Sequence, residues 1–149
     1  MRLIAEPVPD VEDLVPHRGR MKLVRALVAA DQGGAETEAR VEESWPTFSG
    51  GSVDAVVLVE LIAQSVGVHM GWERRHVERM GGRGLLVGVR RASFSVARVE
   101  SGSVLRTRVR RIRSVEAFVV FSGAVSDGRG TLCEAELQAF RPDDMEAGG

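Results

Sequence analysis

The sequence predicts a single α+β domain in which one long, buried helix is wrapped by a curved antiparallel sheet. Three observations predict it. The stretch from Val53 to Gln64 is apolar nearly all round, so a helix there is buried rather than surface-lying. The second half of the chain breaks into segments that alternate apolar and polar residues with period two, separated by turn residues. An alternating hairpin precedes the helix. A helix that is apolar on most sides needs covering on most sides, and an antiparallel sheet with one apolar face can curl around it.

Each element follows from its residues. Residues 9–16 carry Pro9, Pro16 and three acids and read as an irregular lead-in. Met21 to Asp31 is rich in Leu and Val and predicts a strand, and Gln32-Gly33-Gly34 a turn. Ala35, Thr37, Ala39 and Val41 then alternate with Glu36, Glu38, Arg40 and Glu42, which completes a hairpin. Pro46 and Gly50-Gly51 mark a loop over residues 44–53, and Ser52 is the expected helix cap. The helix is expected from about Asp54 to about Met80. Its charged second half, from Trp72 to Arg79, is expected to emerge into water before Gly81-Gly82 ends it. Four strands follow, the first over 84–91 with 92–100 continuing or bending from it, then 103–113, 116–126 and 131–141, with turns at Ser101-Gly102 and Asp127-Gly128-Arg129-Gly130. In 103–113, Arg106, Arg108 and Arg110 share one face, and Leu105, Thr107 and Val109 the other. This is the hot-dog arrangement. It leaves an edge strand and part of the helix uncovered, and dimerisation is the natural remedy.

The totals bound the function. A length of 149 residues suits one domain, 1–149, with a frayed tail at 143–149. Lys+Arg 20 against Asp+Glu 21 gives a formal net charge of -1, which offers no global reason to expect nucleic acid or an anionic membrane. The N-terminus lacks a long apolar h-region, and no run reaches the roughly 20 apolar residues of a membrane span, so the expected location is cytoplasmic. The single cysteine, Cys133, excludes an internal disulfide and sits in an alternating segment as a small core residue. The histidine spacing gives no metal site, no Gly-rich phosphate loop follows a strand, and no cofactor is expected.

One constellation carries chemistry. Glu60, Gln64, Gly67 and Gly71 fall on one helical stripe inside the apolar run. An ionised carboxylate in such a place is costly unless paired, protonated or used. Two readings stand. One is a close-packing stripe with Glu60 near solvent. The other is a carboxylate facing a cleft, oriented by Gln64, with the glycines making room for a ligand chain. His69 lies on the opposite helix face and reads as a core or interface histidine, and His76 as a solvated one. His17, in Pro16-His17-Arg18-Gly19-Arg20-Met21, is either a loop histidine bonded to backbone or an imidazole presented at a cleft, across a dimer interface if need be.

That loop, together with Val59-Glu60-Leu61-Ile62-Ala63-Gln64-Ser65-Val66-Gly67, Leu85-Leu86-Val87-Gly88 and Phe140-Arg141-Pro142-Asp143-Asp144, resembles the 3-hydroxyacyl-ACP dehydratase-like proteins. The nearest branch is the ApeP-type proteins of aryl polyene clusters, relatives of the FabA/FabZ dehydratases. The resemblance spans about Leu14 to Asp144. It implies removal of water from a 3-hydroxyacyl thioester on acyl carrier protein, in fatty-acid or polyene-type biosynthesis. It implies Glu60 as the catalytic carboxylate, Gln64 as the amide that steadies it, and N–H donors near Ala55 and Val56 at the helix start for the thioester oxygen. His17, beside Arg18, is the candidate base. Arg74, Arg75, Arg79, Arg106, Arg108 and Arg110 are candidates to meet an acidic carrier, against the alternative of an ordinary solvated face.

Two departures qualify the resemblance. The family's Gly-His-Phe motif before the helix has no counterpart in Trp45-Pro46-Thr47-Phe48-Ser49-Gly50-Gly51, and Asp54-Ala55 replaces the usual Pro-Gly. Either His17 has taken the base role, or the chain is a non-catalytic subunit completing a heterodimer with a dehydratase-like paralogue; a homodimer is the alternative assembly. A hot-dog thioesterase, using the helix carboxylate to attack the thioester, is the third reading.

Overall fold

A computed structural model of the chain describes residues 22–76 and 85–140. Its elements are β1 (Ala26–Asp31), β2 (Gly34–Arg40), β3 (Ser52–Asp54), α1 (Val57–His76), β4 (Leu85–Phe94), β5 (Arg98–Glu100), β6 (Val104–Val115), β7 (Phe118–Asp127) and β8 (Gly130–Phe140). Six strands form one antiparallel sheet in the order β1-β2-β6-β7-β8-β4, while β3 and β5 pair as a separate ribbon. Helix α1 lies against one face of the curved sheet, touching β1, β2, β6, β7 and β8.

Alternation decides which face is which. Leu105 and Val109 of β6, Phe121 and Val125 of β7, and Leu137 and Ala139 of β8 are buried toward the helix. Leu58, Leu61, Ile62, Val66 and Val68 of α1 meet them in one core. Gly123 on β7 is what lets the helix sit so close: a Cβ there would run into the Cγ2 methyl of Ile62. In β6 the register jumps between Arg111 and Arg113. This bulge leaves Arg111 on the helix side and turns Arg113 to the outer face, where it lies 3.3 Å from Glu136.

The structure corrects several boundaries. The first strand begins at Ala26 rather than Met21, because the Leu23 and Val24 N–H groups bond to the Gln64 side chain instead of a neighbouring strand. The helix begins at Val57 rather than Asp54, because Ser52–Asp54 is recruited as a strand against β5. Ser52 does not cap it: its Oγ accepts from Arg98 Nε at 2.6 Å, and Asp54 Oδ1 takes the Val56 N–H at 2.9 Å. The segment 92–100 continues the preceding strand as far as Phe94, where β4 ends, and a separate short strand, β5, starts at Arg98. The Gly81-Gly82 helix end, the 143–149 tail, His17 and Arg18 lie outside the described residues. Among the described residues no helix is long and apolar enough to cross a membrane, and no cluster of His, Cys, Asp or Glu could hold a metal ion.

Candidate active site

The site is built on the first two turns of α1. Gln64 is fully buried, and its amide works in both directions. Its Oε1 accepts from the N–H of Leu23 at 2.8 Å and of Val24 at 3.3 Å, and its Nε2 donates to Glu60 Oε1 at 3.2 Å. The two backbone donors identify the amide oxygen, so the NH₂ must point at Glu60, which accepts one turn earlier on the helix. Glu60 itself is half-buried. The carboxylate-and-amide pair that the sequence placed on one stripe is therefore a bonded pair. Farther along the stripe, Gly67 is half-buried and Gly71 buried. Next to Gln64, Ser65 donates to Leu61 O at 2.9 Å and shares a 2.8 Å hydrogen bond with Thr37 of β2, which fixes the helix rotation that presents Glu60.

The helix start differs from a bare row of donors. The Ala55 N–H donates to Ala97 O at 2.9 Å, and the Val56 N–H is taken by the exposed Asp54 carboxylate. Thr47, at φ 66, accepts the Asp54 N–H through its Oγ1 at 3.0 Å and holds this turn in place. Both N–H groups assigned to a thioester oxygen are thus engaged within the chain. Asp54 would have to swing away before Val56 could serve.

Three side chains that the sequence left apart meet near the other end of α1. His69 is fully buried; its Nε2 lies 2.9 Å from Asp31 O, and its ring packs on Trp72 and edge-on to Phe121. The carbonyl requires the proton on Nε2, so Nδ1 carries the lone pair, and it has no partner among the described residues. Burial lowers the pKa of this histidine below 6.5, with Arg111 nearby acting in the same direction. Glu73, expected to emerge into water, is buried instead and accepts two hydrogen bonds from Arg111 Nη2, at 2.8 and 3.0 Å. A signal for this pair was present: Arg111 follows Leu105, Thr107 and Val109 at the core-facing parity of β6. Cys133 is buried opposite Val125 and Phe94, and burial pushes its thiol up to about 11, so it is a core residue.

The arginines divide. Arg75 is exposed and Arg74 half-buried on α1. Arg106, Arg108 and Arg110 project from the outer face of the sheet, away from the helix. Arg106 lies 3.3 Å from Glu38, and Arg106 and Arg108 each lie 4.0 Å from Glu36. They do not frame the approach to Glu60.

One helix packed against a curved six-stranded antiparallel sheet is the hot-dog fold of dehydratases and thioesterases. The model of the ApeP-like family, described as ApeP dehydratase, matches residues 9–148, and the chain belongs to that family. Among solved structures, the dehydratase heterocomplex ApeI:P from Xenorhabdus doucetiae matches with a TM-score of 0.80 at 23% identity, covering 91% of this chain and 93% of that one. A hypothetical thioesterase from Streptococcus pneumoniae, solved with coenzyme A, matches at TM-score 0.60 and 15% identity over 77% of this chain and 83% of that one. A mutant thioesterase from Pseudomonas aeruginosa matches at 0.62 and 18%, over 79% and 80%. Comparison with curated proteins gives no match.

Proposed function

We propose that this chain is one subunit of a dehydratase that removes water from a 3-hydroxyacyl thioester carried on acyl carrier protein, and that it pairs with a second dehydratase-like chain. The observation that carries the reading is the Glu60–Gln64 pair and its tie to Leu23. Elimination needs a base for the proton on the carbon next to the carbonyl and an acid for the departing hydroxyl. Glu60 is suited to hand a proton to that hydroxyl or to take one back. Gln64 donates to one carboxylate oxygen and so fixes the orientation of the carboxyl group. The base is assigned to His17, with Arg18 beside it. Leu23 follows His17 by only six residues, a length of chain that spans at most ~20 Å.

Pairing with a second chain is supported by the likeness to a dehydratase heterocomplex and by β4, the end strand of the sheet among the described residues, where Val89 and Phe94 are exposed. A second reading has its own support. The pre-helix loop has no histidine, and the Ala55 and Val56 N–H groups are already engaged, as expected of a subunit that completes an active partner without turning over substrate itself.

Mass spectrometry of a 3-hydroxyacyl carrier protein separates the readings. Wild type, Glu60→Gln and His17→Ala are each incubated alone and with the partner chain. Loss of one water that disappears in both variants supports the assignment. Loss that survives His17→Ala removes His17 from the chemistry. Dehydration by the pair that is indifferent to Glu60→Gln makes this chain the non-catalytic member. Release of free acid in place of an enoyl product identifies a thioesterase.

A further inference from the structure

Between helix and sheet runs a buried polar seam that the Glu60 site does not use. Ser65, His69 and Glu73 stand at four-residue spacing on one face of α1. They meet Thr37 of β2, the Asp31 carbonyl of β1 and Arg111 of β6, and Thr107 of β6 stands level with Thr37. Apart from Gln64, every buried polar or charged residue among the described residues lies in this seam. Most of its groups are paired: Ser65 with Thr37, His69 Nε2 with Asp31 O, and Glu73 with Arg111 Nη2. Three buried atoms have no hydrogen-bond partner, namely His69 Nδ1, Thr107 Oγ1 and Arg111 Nε. Leaving such atoms unpaired is costly, because each gave up its bond to solvent on folding.

Thr107 has a remedy at hand, since its hydroxyl can turn toward its cross-strand neighbour Thr37. His69 and Arg111 have no such freedom. The His69 ring is fixed by its bond to Asp31 O, by Trp72 and by Phe121, whose ring centroid is 5.7 Å from its own. Arg111 is fixed by its two bonds to Glu73, and its Cζ lies 6.0 Å from the same Phe121 centroid. The bulge between Arg111 and Arg113 keeps this guanidinium on the helix side. Phe121 thus touches both groups, and Glu73, one turn beyond His69, ties them together. The two orphan atoms are complementary. Arg111 Nε–H can only donate, and His69 Nδ1, with the ring proton on Nε2, can only accept.

We propose that a single buried water bridges the two, accepting from Arg111 Nε–H and donating to His69 Nδ1. Charge and hydrogen-bond direction select water over other guests. A cation there would face the Arg111 guanidinium. An anion would face the Glu73 carboxylate and the Nδ1 lone pair. The guest must be neutral, must accept and donate at once, and must fit beside a histidine that is fully buried. Two polar partners suffice to hold an internal water. This water fastens the second half of α1 to β6 at its bulge, without involving Glu60 or Gln64.

Two measurements on the full chain test it. A high-resolution crystal structure is expected to show one water within about 2.7–3.2 Å of both atoms. In solution, the Arg111 Nε–H is expected to cross-relax with water protons, with the opposite signs in the laboratory and rotating frames that mark a long-lived water. The signal is expected to persist in Thr107→Val, which excludes relay through that hydroxyl. It is expected to be lost in His69→Phe, which removes the acceptor. Arg111→Lys, which keeps the charge but has no Nε, is expected to lose the water from the crystal and serves if His69→Phe does not fold. A direct contact between Nε and Nδ1, an ion at the position, or no density between the two atoms overturns the proposal. So does a water that touches only one of them, or one that a folded His69→Phe or Arg111→Lys protein retains.

Discussion

Gln64 holds Glu60 with one end of its amide and the backbone of Leu23 with the other, at 3.2 and 2.8 Å. A single fully buried side chain thereby joins the candidate catalytic carboxylate to the segment that leads into β1. Gln64→Leu keeps the volume but removes the acceptor of two backbone N–H groups and the hydrogen bond to the carboxylate. The expected cost is about 2–4 kcal/mol, read from urea unfolding. Gln64→Glu retains an acceptor for Leu23 and Val24 but sets a second carboxyl against Glu60. Two such groups cannot both ionise easily, so this variant is expected to be closer to wild-type stability at pH 5 than at pH 8. Equal destabilisation at both values would contradict the geometry.

The Glu73–Arg111 pair is buried on the carboxylate side and a quarter exposed on the guanidinium side. Removing one partner takes two charge-assisted hydrogen bonds from the other in a setting largely closed to water. Arg111→Met and Glu73→Leu are each expected to lose about 2–4 kcal/mol. Glu73→Leu combined with Arg111→Met is expected to recover most of that loss, since burying a pair costs desolvation of both ions. A double-mutant cycle on unfolding free energies measures the coupling. Strictly additive losses would show that the two residues act separately.

Gly123 and Ile62 form a contact in which one residue supplies room for the other. Gly123→Ala is expected to destabilise by about 1–3 kcal/mol, because Ile62 is fully buried and has no free volume to move into. Ile62→Ala on its own leaves a cavity, but in the Gly123→Ala background it also removes the clash. The double variant is therefore expected to be more stable than the sum of the two losses predicts, as read by thermal unfolding. A Gly123→Ala protein as stable as wild type would mean the helix and β7 are not this close.

The large architecture was legible because its signals are periodic. The apolar run of α1 and the strict alternation of β6 and β8 each fix a face, and topology follows from their order. The Glu60–Gln64 bond was legible because both ends lie on one helix, where spacing fixes proximity. What sequence could not supply is the tertiary use of local groups. Ser52 reads as a cap by its type, yet Arg98, 46 residues away in sequence, claims its hydroxyl. Glu73 reads as solvated among arginines, yet the partner that buries it sits on a strand 38 residues later. The Val56 N–H reads as a free helix-end donor until the Asp54 side chain folds back on it.

His69 supplies a prediction in pH. Its ring is enclosed by Trp72, Phe121, Arg111, Glu73 and the Asp31 carbonyl, and protonation would create an Nδ1–H with no acceptor among the described residues. Burial therefore depresses the folded-state pKa below the 6.5 of the unfolded chain. Between those two values the unfolded state binds the extra proton, so it is favoured as pH falls. The His69 contribution is intact above about pH 6.5 and is lost as pH drops through that value toward the depressed one. His69→Phe keeps an aromatic ring against Trp72 and Phe121 but cannot titrate. It is expected to lower the melting temperature at pH 8, through the lost bond to Asp31, and to show a shallower fall than wild type between about pH 7 and pH 5. Parallel curves for the two proteins across that window would mean that acid sensitivity arises elsewhere and that His69 is silent in it.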